Sequence, residues 1–189
     1  LKLSTPNPRV LCLGDSLGIN SIILASCGFN VDCIHFDQSF MSRCAELNLR
    51  DAMNSHGEEL QLSILTTPSP PYDAVISLEL IEHVPDPRGF LKYISENLKP
   101  GGLLFISECF DGIYDRWPTH LYLNEKFAST LPVLAAPFFK LEDVNTSPFG
   151  KPYLFSKNLT NLISEDSFSF FDDPIFLHSM MNAKAKIGF

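Results

Sequence analysis

Four residues carry the clearest chemistry in this chain. Glu79, Glu82 and His83 form an E-x-x-E-H run, and His120 follows in Thr119-His120-Leu121. Two carboxylates and two imidazoles brought together could hold one divalent cation, which would then polarise a substrate hydroxyl. Without a metal, the same residues divide the work differently. Glu79 would touch a ligand, while His83 would cap the following helix or act as a general base, with His120 as a further candidate base. A third reading leaves His83 packed and hydrogen-bonded, with no chemistry.

A second constellation lies near the start of the chain. Residues 9–14, RVLCLG, are an apolar run ending in glycine, followed by Asp15-Ser16-Leu17-Gly18. A strand that ends in a glycine-bearing loop ahead of a helix makes a ligand cradle. Backbone N–H groups converge there, and glycine permits close approach. The helix is expected over residues 19–27, with Ile22, Ile23 and Leu24 buried. Residues 29–37, FNVDCIHFD, form the second strand and end in Asp37. A carboxylate there can accept both hydroxyls of a ribose. The alternative role is a cap on the next helix, Gln38 to Leu47. Phe36, Gln38 and Ser39 flank the expected cleft.

The elements that position the E-x-x-E-H run are legible between Tyr72 and Glu108. Ala74-Val75-Ile76 reads as a buried strand closed by Ser77. Asp86 can cap a helix whose first turn holds Pro87. Phe90, Leu91, Ile94 and Leu98 recur at helical spacing. Pro100-Gly101-Gly102 is expected to end that helix, and Leu103 to Ser107 is the next strand. Strand, helix, strand within this length is a βαβ unit, which implies a parallel sheet.

This stretch, with its E-x-x-E-H-V-x-D-P and L-K-P-G-G wording, resembles class I S-adenosylmethionine-dependent methyltransferases, of the kind similar to ubiquinone-pathway O-methyltransferases. The resemblance implies an α/β fold. It is a Rossmann-like, mostly parallel seven-stranded sheet with helices on both faces and a C-terminal antiparallel hairpin. It implies S-adenosyl-L-methionine as cofactor, held by Gly14, Asp15, Gly18, Asp37, Gln38 and Leu78. In the family the first loop reads acidic-x-G-x-G-x-G. Here Cys12 stands at the acidic position and Ser16 at the middle glycine, so Asp15 is the candidate to replace the missing acid. The family's Asp after the third strand is also lacking. That leaves adenine to backbone groups near Leu65 and Thr66. Some members use a similar E-x-x-E-H and a later His for a divalent metal; the corresponding residues here are Glu79, Glu82, His83 and His120.

The rest of the chain is read more coarsely. Glu59 to Leu65 alternates and is the expected third strand. Asp111 to Thr119, with Tyr114, Arg116 and Trp117, leaves the carboxyl end of strand five and is the expected substrate loop. His120 to Ala135 reads as one helix with Leu123, Phe127, Leu131 and Leu134 on a single face, kinked or shortened by Pro132. Phe138 to Val144 and Tyr153 to Lys157 form the hairpin. Residues 1–160 make the methyltransferase-like domain. Residues 161–189 are an extension that covers the site, packs on its own core or contacts another subunit, giving a homo-oligomer.

Composition narrows the function classes. The 189 residues suit one domain with a sizeable core, and 45% hydrophobic content excludes a disordered chain. A net charge of −8 without a Lys/Arg cluster argues against nucleic acid as partner and favours a small-molecule acceptor. No apolar run is long enough to span a bilayer. The five cysteines lack C-x-x-C spacing and read as buried free thiols of a cytoplasmic protein. The expected function is methyl transfer to an oxygen or nitrogen. Two alternatives remain: a non-catalytic binding module on the same fold, and a nicotinamide-dependent dehydrogenase. The G-x-x-x-G spacing and the terminal hairpin speak against the dehydrogenase.

Overall fold

The computed structural model describes residues 6–36, 39–110, 119–128, 130–144 and 152–159. Seven strands form one sheet in the order β3-β2-β1-β4-β5-β7-β6. They are β1 (Arg9–Leu13), β2 (Asn30–Ile34), β3 (Leu62–Leu65), β4 (Tyr72–Ser77), β5 (Leu98–Ile106), β6 (Phe139–Val144) and β7 (Tyr153–Lys157). Strands β1 to β5 pair in parallel, and β7 runs antiparallel between β5 and β6. The expected sheet and its terminal hairpin are therefore present.

Strand periodicity divides the core in two. Leu11 and Leu13 of β1 join Ile34 and Val75 on one face, packed with Phe90, Leu91 and Ile94. Those three belong to α3 (Pro87–Asn97). Val10 and Cys12 point the other way, with Val31, Cys33 and Ala74. That face is covered by Ala25 of α1 (Ile19–Ser26) and Leu49 of α2 (Phe40–His56). Each fully buried aliphatic side chain stabilises the fold by about 1.5–3 kcal/mol. The carboxyl ends of β1, β4 and β5 are thereby held at one edge, and the candidate site lies there.

The amino ends of the strands are tied by charge. Asp32 accepts from Arg9 Nη2 at 2.9 Å and from the Tyr72 hydroxyl at 2.8 Å. Asp73 accepts from the Arg9 amide at 2.9 Å and from Lys99 Nζ at 2.7 Å. These bonds join β1, β2, β4 and β5 at the end opposite the glycine loop.

Several boundaries differ from expectation. In α1 the buried residues are Ser21 and Ala25, one turn apart, while Ile23 is exposed. The packing face is set by the small side chains that fit against the sheet. Helix α2 runs on to His56, well past Leu47. A 3₁₀ turn, Gly57–Glu59, precedes β3, so β3 begins only at Leu62. Helix α3 ends at Asn97, and Lys99 to Gly102 already belong to β5. The pairing register shifts there between Tyr72 and Ala74, and Gly101 has φ +71°. An irregular strand edge uses the glycine that was expected to stop a helix.

The single helix expected over His120 to Ala135 is two pieces. Tyr122–Phe127 is a 3₁₀ segment, and α4 spans Leu131–Ala135. Pro132 lies in the first turn of α4, where its missing N–H costs nothing. Thr130 Oγ1 donates to the Phe127 carbonyl at 2.7 Å and turns the chain between the pieces. Leu123 is exposed, whereas Phe127, Leu131 and Leu134 are buried. The cysteines also divide: Cys12 and Cys33 are buried, Cys27 is exposed, and Cys44 and Cys109 are half-buried, all free thiols. Among the described residues, no helix is long and apolar enough to cross a membrane.

Candidate functional site

The loop from β1 to α1 needs both of its glycines. Gly14 has φ +67°, and its amide donates to the Ile34 carbonyl at 3.0 Å. A Cβ there would stand 2.7 Å from the Leu80 side chain. Gly18 has φ +74°, and a Cβ would stand 2.7 Å from Leu49 Cγ. Gly18 is the N-cap of α1 and has no side chain to cap with. Asp15 does this from upstream. Its Oδ2 accepts from the Ser21 amide at 2.7 Å and from Ser21 Oγ at 2.9 Å, and its Oδ1 accepts from Asn20 at 3.1 Å. Cys12 lies beneath, and burial pushes its thiol up to about 12, so it stays neutral.

Opposite this loop, β4 ends in an elbow. Glu79 has φ +50°, a costly conformation for a residue with a Cβ. Ser107, just past β5, secures it. The Glu79 amide donates to Ser107 Oγ at 3.1 Å, and Ser107 Oγ donates to Glu79 Oε1 at 2.6 Å. Between loop and elbow lies a cavity of about 250 Å³, with Gly14, Asp15 and Ser16 on one wall and Ile76, Leu78 and Glu79 on the other.

The next turn is Ile81–His83. Glu82 is fully buried, and among the described residues no donor meets either carboxylate oxygen in hydrogen-bond geometry. Burial raises its carboxyl to about 7, and the Glu79 and Glu108 charges add to this. The amides of Glu82 itself and Cys109 offset it only in part. His83 Nδ1 lies 2.9 Å from the Thr119 carbonyl. A carbonyl only accepts, so Nδ1 carries the proton and Nε2 is the basic nitrogen. His120 packs edge-on against His83, ring centroids 4.8 Å apart, and its Nε2 is 4.0 Å from Glu82 Oε1. Burial, then the neighbouring His83, lowers the His120 pKa and favours the neutral ring.

The His120 segment is strapped onto the elbow by backbone contacts. The Leu121 amide donates to the Glu82 carbonyl at 3.2 Å. Buried Asn124 donates from Nδ2 to the carbonyls of Glu82, at 3.0 Å, and Val84, at 2.8 Å. Sequence reasoning missed Asn124, Ser107 and Glu108. The last two stand at the carboxyl end of a strand, where polar residues of α/β sheets meet ligands, and that position is a usable signal. Asn124 offers none, because it sits inside an apolar pattern.

Glu82, His83 and His120 each offer a ligand atom, and these lie within 4.8 Å of one another. Two imidazoles and a carboxylate suit a divalent cation, and the undonated Glu82 oxygens fit such a partner. Glu79 is not one of these three; it lines the cavity, and its charge reaches both Glu82 and His120. Gly14, Asp15 and Leu78 line the same cavity, while Gly18 starts α1 behind it. Leu65 and Thr66 border another cavity of about 650 Å³, with His35 and Phe36. Asp37, Gln38, the 111–118 part of the expected substrate loop and the 161–189 extension lie outside the described residues.

Residues 2–136 match the family described as methyltransferase domain. The ubiquinone biosynthesis O-methyltransferase of Coxiella burnetii (strain Dugway 5J108-111) is 29% identical over 106 residues, 56% of this chain and 45% of that protein. The chain thus spans less than half the length of this relative. The PH0226 protein from Pyrococcus horikoshii OT3 superposes with a TM-score of 0.62 at 18% identity, covering 83% of this chain and 84% of that one. N-methyltransferase NodS from Bradyrhizobium japonicum WM9, in complex with S-adenosyl-L-homocysteine, gives 0.58 at 16% identity, covering 82% and 80%. At these identities the solved structures establish the shared fold.

Proposed function

We propose that this chain, which belongs to the methyltransferase domain family, transfers the methyl group of S-adenosyl-L-methionine to an oxygen or nitrogen of a small-molecule acceptor. The observation that carries the reading is the cavity between the glycine loop and the β4 elbow, walled by Gly14, Asp15, Leu78 and Glu79, with His83 of the following turn packed against His120. Such a cofactor supplies an electrophilic methyl on a sulfonium sulfur. Gly14, Asp15, Leu78 and Glu79 would hold its methionine half. The ribose would fall to Asp37 and Gln38, and the adenine to the cavity beside Leu65 and Thr66.

The chain's own contribution is positioning and proton removal. Fixing the acceptor in line with the methyl lowers the entropic barrier. His83 Nε2 is the basic nitrogen of a ring fixed through Nδ1, so it can take a proton from an acceptor hydroxyl or ammonium. Such a positioned base contributes about 10²–10⁴-fold in rate. His120, kept neutral by burial, and Glu79, at the cavity wall, are the other candidate bases.

The Glu82–His83–His120 cluster favours a second reading of the same site. A divalent cation held there would acidify an acceptor hydroxyl, and His83 would then be a ligand rather than a base. Calorimetry with manganese separates the two. Saturable heat in the native chain, lost in Glu82→Gln, assigns the trio to a cation. Absence of heat assigns His83 as base; His83→Ala should then slow transfer by about 10²-fold or more with unchanged affinity for S-adenosyl-L-homocysteine.

A further inference from the structure

The cavity of about 650 Å³ has walls from three elements. Phe36 follows β2, Leu65 and Thr66 stand at the end of β3, and Arg43, Glu46 and Arg50 belong to α2. An ionised carboxylate only accepts hydrogen bonds, so it is the partner that selects the 6-amino group of adenine. Glu46 is the one carboxylate among the described residues of this wall, and it is already engaged. Its Oε1 accepts from Arg50 Nε at 3.0 Å and from Arg50 Nη2 at 2.6 Å. Arg50 is tied up in the same pair. Arg43 differs: it is exposed, and its side chain makes no hydrogen bond or ion pair with a described residue. A guanidinium only donates, so the uncommitted charge on this wall faces acceptors. Phe36 is more than half exposed and meets Phe90 edge-on at 6.0 Å, which leaves ring surface for a base to stack on.

We infer that Arg43 reads the base in this cavity, and that the cavity takes a 6-oxo purine in preference to adenine. A 6-oxo purine presents O6 and N7 side by side. Both are acceptors, and the planar fork of a guanidinium meets them with two parallel hydrogen bonds. Adenine sets its amino donor beside N7, so one arm of the fork would face a donor. The inference rests on the placement of a purine base here proposed above. S-adenosyl-L-methionine would then draw its affinity from its methionine and ribose ends, with its base held by stacking.

The test is calorimetric titration of the full chain with two matched pairs, inosine against adenosine and S-inosyl-L-homocysteine against S-adenosyl-L-homocysteine. In each pair the 6-oxo compound should bind at least about fivefold more tightly, the low end for a bidentate arginine contact. Arg43→Ala should remove the preference, and Arg43→Lys should not restore it, because an ammonium lacks the fork. Arg43 is exposed, so both variants should keep the native melting temperature. The two pairs separate this inference from the methyltransferase reading. Inosine preferred through Arg43, with thioethers that bind no tighter than their nucleosides, supports the inference and contradicts the reading. Saturable S-adenosyl-L-homocysteine binding with adenine preferred, or a 6-oxo preference that survives Arg43→Ala, overturns the inference and leaves the reading standing. Absence of binding by all the compounds overturns both.

Discussion

Cys12 stands where similar enzymes carry an acid, and it cannot replace one. Burial keeps its thiol neutral, with a pKa of about 12, and Cys33 beside it on β2 is pushed up to about 11. Both values lie above the ordinary 9.0. The sign of the stability effect follows. Below pH 9 neither thiol costs anything; as pH rises from 9 toward 11–12 the unfolded thiols ionise and the folded ones do not. Stability should therefore fall by up to about 1.4 kcal/mol per pH unit per thiol over that window. Urea unfolding at pH 8, 9.5 and 10.5 should show a shallower alkaline decline in Cys12→Ala than in the native chain; equal slopes would contradict this. Asp15 lines the same cavity as Cys12, but its oxygens already serve Ser21 and Asn20. Asp15→Ala should cost about 1 kcal/mol as a lost cap. If Asp15 also meets the cofactor's ammonium, the variant weakens S-adenosyl-L-homocysteine binding, and unchanged affinity removes that role.

Elements, rather than single residues, bring the site together, and the glycines show how. Gly14, Gly18 and Gly28 all have positive φ, but only the first two face neighbours closer than a Cβ tolerates. Gly28→Ala should cost about 1–2 kcal/mol of backbone strain alone. Gly14→Ala and Gly18→Ala should cost more, and Gly14→Ala should also weaken cofactor binding, because Leu80 lies on the elbow that it would push. Chemical denaturation and calorimetry on the three variants check the ranking; equal losses at all three would contradict it. Much of this was legible from local pattern. The β4 strand, the Asp86 cap, Pro87 and the Phe90-Leu91-Ile94 stripe form one continuous signal. The strap was not, because Leu123, Phe127, Leu131 and Leu134 have helical spacing and the break rests on a side-chain bond of Thr130. Likewise α1 was misread because its packing face is made of Ser21 and Ala25, which hydrophobicity does not mark. Glu82 is buried by residues about forty positions downstream, and no local pattern encodes that.

For the molecule as a whole, the parallel strands divide the labour between their two ends. Arg9, Asp32, Tyr72, Asp73 and Lys99 tie the amino ends together, leaving the carboxyl ends to loops whose backbone can meet a ligand. The glycine loop, the elbow and the imidazole strap all converge at the second edge. The order of strands and the antiparallel insertion of β7 agree with the family match, and the acceptor must be read from chemistry at the elbow. The most direct measurement is calorimetric titration of the native chain with S-adenosyl-L-homocysteine. Saturable binding of one equivalent, weakened by Gly14→Ala, is the predicted result. A folded chain that gives no heat and protects no cofactor would contradict the account, leaving the methyltransferase fold without its chemistry.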